Sequence, residues 1–223
     1  MEFEEFVLAA SVTDLDAEPR AREHADAVEF RMDLADDPLA ALDEYDGQLP
    51  VLATNRAAWE GGEAEDDEER LAAIAEAAEL ACVGAVDLEL ESLAAGEGDR
   101  VAERARRAGT TVIASIHDFE RTPPRADMRG RLAAATDRAD VGKLAVTAES
   151  RGDVLDLLAV AHELASDGER IATMAMGEPG RHSRAIAPLY GSRIGYAPID
   201  PDEATAPGQY DLATLARLIE RLR

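Results

Sequence analysis

The sequence predicts a single (β/α)8 barrel, a TIM barrel, over residues 1–223. Short apolar runs alternate with segments of helical periodicity, which is typical of parallel βαβ units. The chain contains eight such units and ends on a helical segment. A (β/α)8 barrel is typically about 250 residues long, so the length also fits. No Pro-, Gly- or Ser-rich linker divides the chain.

The apolar runs predict the strands. Runs such as VLAASV, TTVIASI and KLAVT are almost continuously apolar, as expected of strands buried on both faces of a parallel sheet. A doubly wound sheet shows the same alternation, and periodicity alone does not separate the two folds. The first strand is not followed by a glycine-rich dinucleotide motif, which favours the barrel. The strands are expected to begin near Val7, Ala27, Pro50, Ala85, Thr110, Val141, Arg170 and Arg193.

Apolar residues spaced by three and four positions predict the helices. One helix is expected to begin after Ser150, a residue type that caps helix N-termini. The last helix is expected to begin after Asp211. Their apolar faces consist of Val154, Leu157, Leu158, Ala161 and Leu164 in the first case, and Leu212, Leu215, Ile219 and Leu222 in the second.

The chain is strongly acidic, with 47 Asp and Glu against 23 Lys and Arg and a net charge of −24. This charge excludes a basic nucleic-acid-binding surface. Two interpretations stay open: a surface adapted to high salt, which screens the repulsion, or attraction of a cation or basic partner. The first is favoured because nearly every cationic residue is Arg, and Lys143 is the only lysine.

The sequence also predicts a cytoplasmic protein without a membrane segment. No apolar run approaches the roughly 18–20 residues that cross a bilayer, and the start, MEFEEF, is acidic where a signal peptide is basic. One cysteine, Cys82, excludes an intramolecular disulfide framework and a multi-cysteine zinc site.

Polar residues gather at the carboxyl ends of the predicted strands. In a (β/α)8 barrel these ends share one face, and that face carries the active site. Ionisable residues in buried strands are costly unless they are paired, so their recurrence at one level indicates an enzyme. The residues at this level include Glu29, Arg31, Arg56, Asp87, Glu89, Ser115 and His117.

Lys143 is the foremost catalytic candidate. A single lysine in a strand is often an edge residue, or one that extends its amine to water. Here arginine has replaced lysine everywhere else. An amine that arginine cannot replace is one that must lose its proton, and a neutral amine attacks ketones to form a Schiff base.

His117 is the second candidate, because it ends a strand next to that of Lys143. It can carry protons near neutral pH, with Glu60 or Glu29 orienting it. His24 and His162 lie on predicted helices. A metal site is the rival interpretation, but no second histidine stands at a ligand spacing such as HExxH.

Three arginines, Arg31, Arg56 and Arg184, follow different strands at the same level. Arginine binds carboxylates and phosphates through two parallel hydrogen bonds. The alternative is a structural salt bridge, for example to Asp33 or Glu29. The segment from Thr205 to Gln209 is interpreted as a closing loop, because it is too poor in glycine for a phosphate site.

Taken together, these residues resemble the type I 3-dehydroquinate dehydratase family, the Schiff-base enzymes of the shikimate pathway, and the acidic surface resembles haloarchaeal members. The resemblance spans the whole chain and implies a (β/α)8 barrel without cofactor or metal, commonly a homodimer. The motifs that carry it are EFR from Glu29, Arg56 with EGG from Glu60, DLE from Asp87, SIHDF from Ser115, Lys143, MAM from Met174, SR from Ser183 and APGQ from Ala206.

The resemblance also implies a role for each matching residue. Lys143 corresponds to the Schiff-base lysine, His117 to the general acid and base, and Glu60 to the carboxylate that orients the histidine. The substrate, 3-dehydroquinate, is expected to contact Ser11, Glu29, Arg31, Arg56, Arg184, Thr205 and Gln209.

Two other functions stay open at this stage. A class I aldolase is also a Schiff-base barrel, but it usually binds phosphorylated sugars, and a strong phosphate loop is missing here. A catalytically inactive barrel that acts as a scaffold is the other alternative, and the presence of both Lys143 and His117 argues against it.

Overall fold

The computed structural model describes residues 1–203, 206 and 208–222. Its eight strands are parallel and lie in one sheet. They are β1 (Val7–Val12), β2 (Ala27–Arg31), β3 (Val51–Thr54), β4 (Val83–Glu89), β5 (Thr111–Asp118), β6 (Val141–Thr147), β7 (Ile171–Met176) and β8 (Ile194–Pro198). Strand β1 pairs with both β2 and β8, so the sheet curls into a nearly closed barrel. The predicted (β/α)8 fold is confirmed, and the doubly wound alternative is wrong.

The barrel has one weak seam, between β7 and β8. In the described chain these strands share an isolated bridge between Ile171 and Ser192 instead of a regular ladder. The Arg193 amide donates to the Ile171 carbonyl at 2.7 Å, and the Thr173 amide donates to Ser192 Oγ at 3.0 Å. The serine hydroxyl therefore replaces part of the missing ladder.

Helices and turns connect the strands. The α-helices are α1 (Pro38–Asp43), α2 (Asp67–Ala77), α3 (Leu90–Ala95), α4 (Glu97–Ala108), α5 (Arg125–Thr136), α6 (Arg151–Ser166), α7 (Ser183–Ile186) and α8 (Leu212–Leu222). Short 3-10 turns lie at Leu15–Arg20, Met32–Leu34, Ala58–Glu60, Ala187–Tyr190 and Pro201–Glu203. None of the helices described is long and apolar enough to cross a membrane.

The two helices predicted in detail are confirmed. Helix α6 begins after Ser150, and α8 begins after Asp211, whose carboxylate accepts the Thr214 amide at 2.9 Å. The placement of His24 on a helix is wrong. The segment after β1 forms only the 3-10 turn, and His24 lies in the turn beyond it. This segment contains Pro19, which lacks the backbone N–H that a continuing helix needs.

Alternate residues of each strand face opposite layers of the core. On β6, Leu144 and Val146 pack outward in a cluster with α5 and α6. Lys143 and Ala145, which alternate with them, line a cavity inside the barrel. The β-strand period of two residues therefore brings the polar residues of neighbouring strands to one interior surface at the carboxyl end of the barrel.

Candidate active site

A cavity opens at the carboxyl ends of the strands, where the sequence predicts an active site. Eight of the expected residues line it. Ser11 is not among the lining residues, and Thr205 lies outside the described residues. The expected residues that line the cavity are Glu29, Arg31, Arg56, Glu60, His117, Lys143, Arg184 and Gln209.

The amine of Lys143 lies deep in this cavity. The residue is only 4% exposed, and its Nζ donates to Asp87 Oδ2 at 2.9 Å. On another side, Nζ lies 4.6 Å from the centre of the Tyr196 ring. The amine thus has a carboxylate on one side and an aromatic face on another. Lys143 also lines the cavity that a ligand can occupy.

Arg56 joins the carboxylates of β4 to β5. Its Nη2 donates to Asp87 Oδ1 at 2.7 Å, and its Nη1 donates to Glu89 Oε1 at 2.8 Å and to Ser115 Oγ at 2.7 Å. Burial alone lowers the pKa of Arg56, but Asp87 and Glu89 outweigh it and raise that pKa. Arg56 therefore stays charged and anchors the carboxylates that surround Lys143.

Asp87 is the acidic partner that Arg56 and Lys143 share. Its burial raises the pKa, but the cationic groups of Arg56 and Lys143 lower it by more, so the net pKa lies well below the usual range. The Ser115 hydroxyl also donates to Asp87 Oδ1 at 2.6 Å. Asp87 is therefore an ionised carboxylate at neutral pH.

A second ion pair supports this network from outside the barrel. Arg70 on α2 is fully buried, and its Nη1 donates to Glu89 Oε2 at 2.6 Å. Its Nη2 donates to Ser92 Oγ at 3.0 Å. Since Glu89 accepts from Arg70 and Arg56 through different oxygens, its charge is compensated on both sides.

His117 and Glu60 form a close pair at the rim. His117 Nδ1 lies 2.7 Å from Glu60 Oε1, and the imidazole stacks on Phe119 with ring centres 5.8 Å apart. Burial, followed by the charges of Arg56 and Lys143, lowers the pKa of His117 well below its usual value. His117 is therefore neutral near pH 7 and can accept a proton.

A glycine pair places Glu60 in this position. The 3-10 turn that contains Glu60 ends at Gly61, which has a φ of 81°, a conformation that glycine adopts without strain. A Cβ on Gly62 would lie 2.1 Å from the Arg56 carbonyl oxygen. The sequence Glu-Gly-Gly thus lets the turn fold back closely against Arg56 and aim Glu60 at His117.

The remaining expected residues occupy the walls. Arg31 binds Asp33 through two hydrogen bonds, Nε to Oδ1 at 2.9 Å and Nη2 to Oδ2 at 2.6 Å. Glu29 is buried and accepts from Ser11 Oγ at 2.6 Å and from Thr54 Oγ1 at 3.2 Å. Ser11 therefore lies behind Glu29, and of these two residues only Glu29 lines the cavity.

Arg184 and Gln209 enter the cavity from the segments that follow β7 and β8. Arg184 lies on α7 and is 5% exposed, and burial lowers its pKa to about 10. Gln209 precedes α8, and its side-chain oxygen accepts the Ala206 amide at 3.1 Å. A guanidinium and an amide thus line the cavity together with Lys143.

Two important neighbours of Lys143 had no assigned role in the sequence analysis. Asp87 was recognised only as part of a motif, although an acid within a buried strand already requires a cationic partner. Tyr196 was not singled out at all. Its signal was weak, because an aromatic residue on a strand is usually a core residue. No group of three or more potential metal ligands occurs among the described His, Cys, Asp and Glu residues.

Comparison with known proteins identifies extensive similarity. A sequence model described as type I 3-dehydroquinase matches residues 7–222. A 3-dehydroquinate dehydratase of Haloarcula marismortui is 57% identical over 226 aligned positions, which cover 100% of this chain and 99% of that protein.

Two solved structures are similar in fold. A 3-dehydroquinate dehydratase from Geobacillus kaustophilus has a TM-score of 0.88 and 27% identity, with 98% of this chain and 91% of that chain covered. A type I enzyme of this name from Clostridium difficile, solved with covalent modified comenic acid, has a TM-score of 0.85 and 26% identity, with 98% and 92% covered.

Proposed function

The chain belongs to the type I 3-dehydroquinase family, and on that basis we propose that it converts 3-dehydroquinate to 3-dehydroshikimate through a Schiff base on Lys143. The proposal includes the third step of the shikimate pathway and a homodimer, which follow from the resemblance, and a cytoplasmic location, which the composition of the chain predicts. The single observation that carries the mechanism is the position of Lys143, the only lysine of the chain, inside the cavity that His117 also lines.

The first step joins Lys143 to the substrate. Its amine adds to the ketone, and loss of water leaves a protonated imine. The ionised carboxylate of Asp87, 2.9 Å from Nζ, stabilises the positive charge of the protonated imine that this step leaves on the nitrogen. The covalent modified comenic acid of the Clostridium difficile enzyme supports a covalent ligand in this family.

The second step removes a proton beside the imine carbon. The cationic imine withdraws electrons, which makes that C–H bond more acidic. Neutral His117 accepts the proton while Glu60 holds its Nδ1, and the electrons of the C–H bond form an enamine. The enamine therefore carries the electron pair that expels the hydroxyl in the next step.

The last steps release water and product. The enamine electrons expel the C1 hydroxyl, which leaves as water with a proton from the imidazolium of His117. Hydrolysis of the imine then frees 3-dehydroshikimate and restores the amine of Lys143. His117 is already neutral again once it has given its proton to the leaving hydroxyl, so the protons balance in each turnover.

The substrate is an anion, and it approaches a chain whose net charge is −24. Local arginines must therefore capture it at short range. We assign the carboxylate to Arg184 and Gln209, and the resemblance adds Thr205 as a further substrate-binding residue. Glu29, with Ser11 behind it, and the guanidinium groups of Arg31 and Arg56 shape the wall that faces the substrate hydroxyls.

A borohydride trap tests this function. With 3-dehydroquinate, the protein should gain one reduced ligand and lose activity, because reduction makes the imine permanent. The adduct is expected on Lys143. The only other amine, at Met1, donates to the Gly84 carbonyl, close to the amino-terminal start of β4 and remote from the cavity. An adduct at Met1 with activity retained would contradict the mechanism.

Two variants divide the roles. Lys143→Ala should form no adduct and lose nearly all turnover. His117→Ala should still form the adduct but fail at elimination, with turnover reduced about 10²–10⁴-fold, the usual contribution of a general acid–base group. A loss below about tenfold would show that His117 is structural.

A further inference from the structure

Tyr196 lines the cavity, and the proposed mechanism gives it no role. It lies on the inner face of β8 and forms part of the barrel interior. Its ring packs against the amine of Lys143, with Nζ 4.6 Å from the ring centre. The same interior cluster contains Ala145 of β6 and Met174 of β7, which also line the cavity.

The hydroxyl of Tyr196 is buried and has no hydrogen-bond partner among the described residues. Other hydroxyls near the cavity are bonded: Ser11 and Thr54 donate to Glu29, and Ser115 donates to Asp87. The Thr173 hydroxyl on β7 also has no partner among the described residues, but Thr173 does not line the cavity. A buried hydroxyl without a partner lowers stability, and phenylalanine fills almost the same space without that cost. We therefore expect the hydroxyl to find its hydrogen-bond partner in the bound ligand.

We propose that the Tyr196 hydroxyl donates a hydrogen bond to the substrate oxygen on the carbon that Lys143 attacks. This inference rests on the proposed Schiff-base function. The amine lies over the ring instead of beside the hydroxyl, so the two groups do not bond each other. An oxygen on the attacked carbon lies one bond beyond the new Nζ–C bond, so the addition brings it close to the ring over which the amine lies.

The hydrogen bond acts while the imine forms. As the Nζ–C bond forms, the carbonyl π electrons move onto the oxygen, and a donor at that oxygen stabilises the developing charge. The C–O bond then breaks and the oxygen leaves as water. Overall, the ammonium and the ketone give a protonated imine and water, whose two protons come from the nitrogen. Tyr196 keeps its own proton.

The surroundings keep the phenol in its donor form. Burial, together with the charges of Glu29 and Asp87, raises the pKa of Tyr196 well above its usual value. The hydroxyl is therefore protonated at any pH at which the protein works. It differs in this respect from His117, which accepts and returns a proton in each turnover.

Tyr196→Phe tests the inference, because it removes the hydroxyl and keeps the ring beside Lys143. The rate of adduct formation with 3-dehydroquinate and borohydride in a single turnover should fall about 3- to 10-fold, and kcat/KM should fall with it, as expected for the loss of one hydrogen bond. The melting temperature of the ligand-free variant should be equal to or higher than that of the wild type, because an unsatisfied buried group has been removed.

Tyr45→Phe is the matched control. The Tyr45 hydroxyl donates to the Leu49 carbonyl at 2.7 Å, and Tyr45 does not line the cavity. Its removal breaks a hydrogen bond that the folded protein already makes. The control should therefore show the opposite pattern, with a lower melting temperature and unchanged kinetics.

Each outcome decides the inference. Wild-type rates of adduct formation in Tyr196→Phe would overturn it, and so would a variant that fails to fold, because the hydroxyl would then be a packing group. If the wild-type protein itself neither turns over nor traps 3-dehydroquinate, the proposed function fails and the inference fails with it. If the wild-type protein turns over and traps 3-dehydroquinate, and Tyr196→Phe forms the adduct at the same rate, the inference is overturned while the proposed function stands.

Discussion

Glu60 and His117 are in contact, and their surroundings displace the two pKa values in opposite directions. Burial, only partly offset by the charge of Arg56, raises the pKa of Glu60 to about 8, whereas burial lowers the pKa of His117. Both groups therefore favour their neutral forms near pH 7. An ionised Glu60 can accept the Nδ1 proton of His117, which leaves Nε2 as a proton acceptor.

This pair predicts a pH dependence. As the pH rises through about 8, Glu60 ionises, more of His117 is in the tautomer that can accept a proton at Nε2, and kcat should increase. Glu60→Gln, whose amide does not titrate, should lose this increase and lower kcat by about 10- to 100-fold, a part of what a general base contributes. The measurement is kcat from pH 6 to about 9 for both proteins.

Glu79→Gln is the matched control for Glu60→Gln, since Glu79 is exposed and pairs with Arg104 away from the cavity. Its pH profile should match that of the wild type. If Glu60→Gln kept the rise near pH 8, the titrating group would be another one, and the assignment of Glu60 as the orienting carboxylate would be wrong.

Helix α6 shows how a single element is held in place. Ser150 Oγ accepts the Asp153 amide at 3.4 Å, and Asp153 Oδ2 accepts the Ser150 amide at 2.8 Å. This capping box satisfies backbone donors that a helix N-terminus otherwise leaves unpaired. Because α6 packs on β7, which pairs with β6, the cap also stabilises the strand beside the one that carries Lys143.

Ser150→Ala should lower the free energy of unfolding by about 0.5–2 kcal/mol, the usual cost of losing an N-cap. Ser166→Ala removes a hydroxyl from the other end of the same helix, where Oγ donates to the His162 carbonyl at 2.7 Å. This control should cost less, because such back-bonding adds little to helix stability. Denaturant unfolding measures the free energy of unfolding of both variants. An equal loss in the two would show that the capping box contributes no more than the hydrogen bond of Ser166.

The whole molecule carries a net charge of −24 that no single cluster explains. Several exposed arginines are paired, for example Arg104 with Glu79 and Arg125 with Glu163. Acidic residues outnumber basic ones by two to one, 47 against 23, so repulsion among carboxylates remains after pairing. This repulsion destabilises the compact state when salt is low.

We expect the melting temperature to rise steadily as KCl increases from about 0.15 M to 2 M, because the Debye length falls from about 8 Å to about 3 Å at 1 M. Activity should follow the folded fraction, since the contacts of the cavity are buried. Choline chloride at equal ionic strength separates general screening from binding of K⁺. A melting temperature that stays flat in both salts would revive the interpretation of a cationic partner.

The sequence by itself determined the elements of the fold and the foremost catalytic candidate. Local periodicity specifies strands and helices, so the strand starts were predicted to within about two residues, and the cap of α6 at Ser150 was predicted as well. Lys143 stood out because every other cationic position except the histidines is arginine. That argument needs only composition and chemistry.

Only the tertiary structure decided which polar residues meet. It brought Glu60, and not Glu29, to His117, and it placed Tyr196 against the amine of Lys143. These contacts join residues that are 57 and 53 positions apart in the chain. They depend on the closure of the barrel and the stagger of its strands, which local periodicity does not encode.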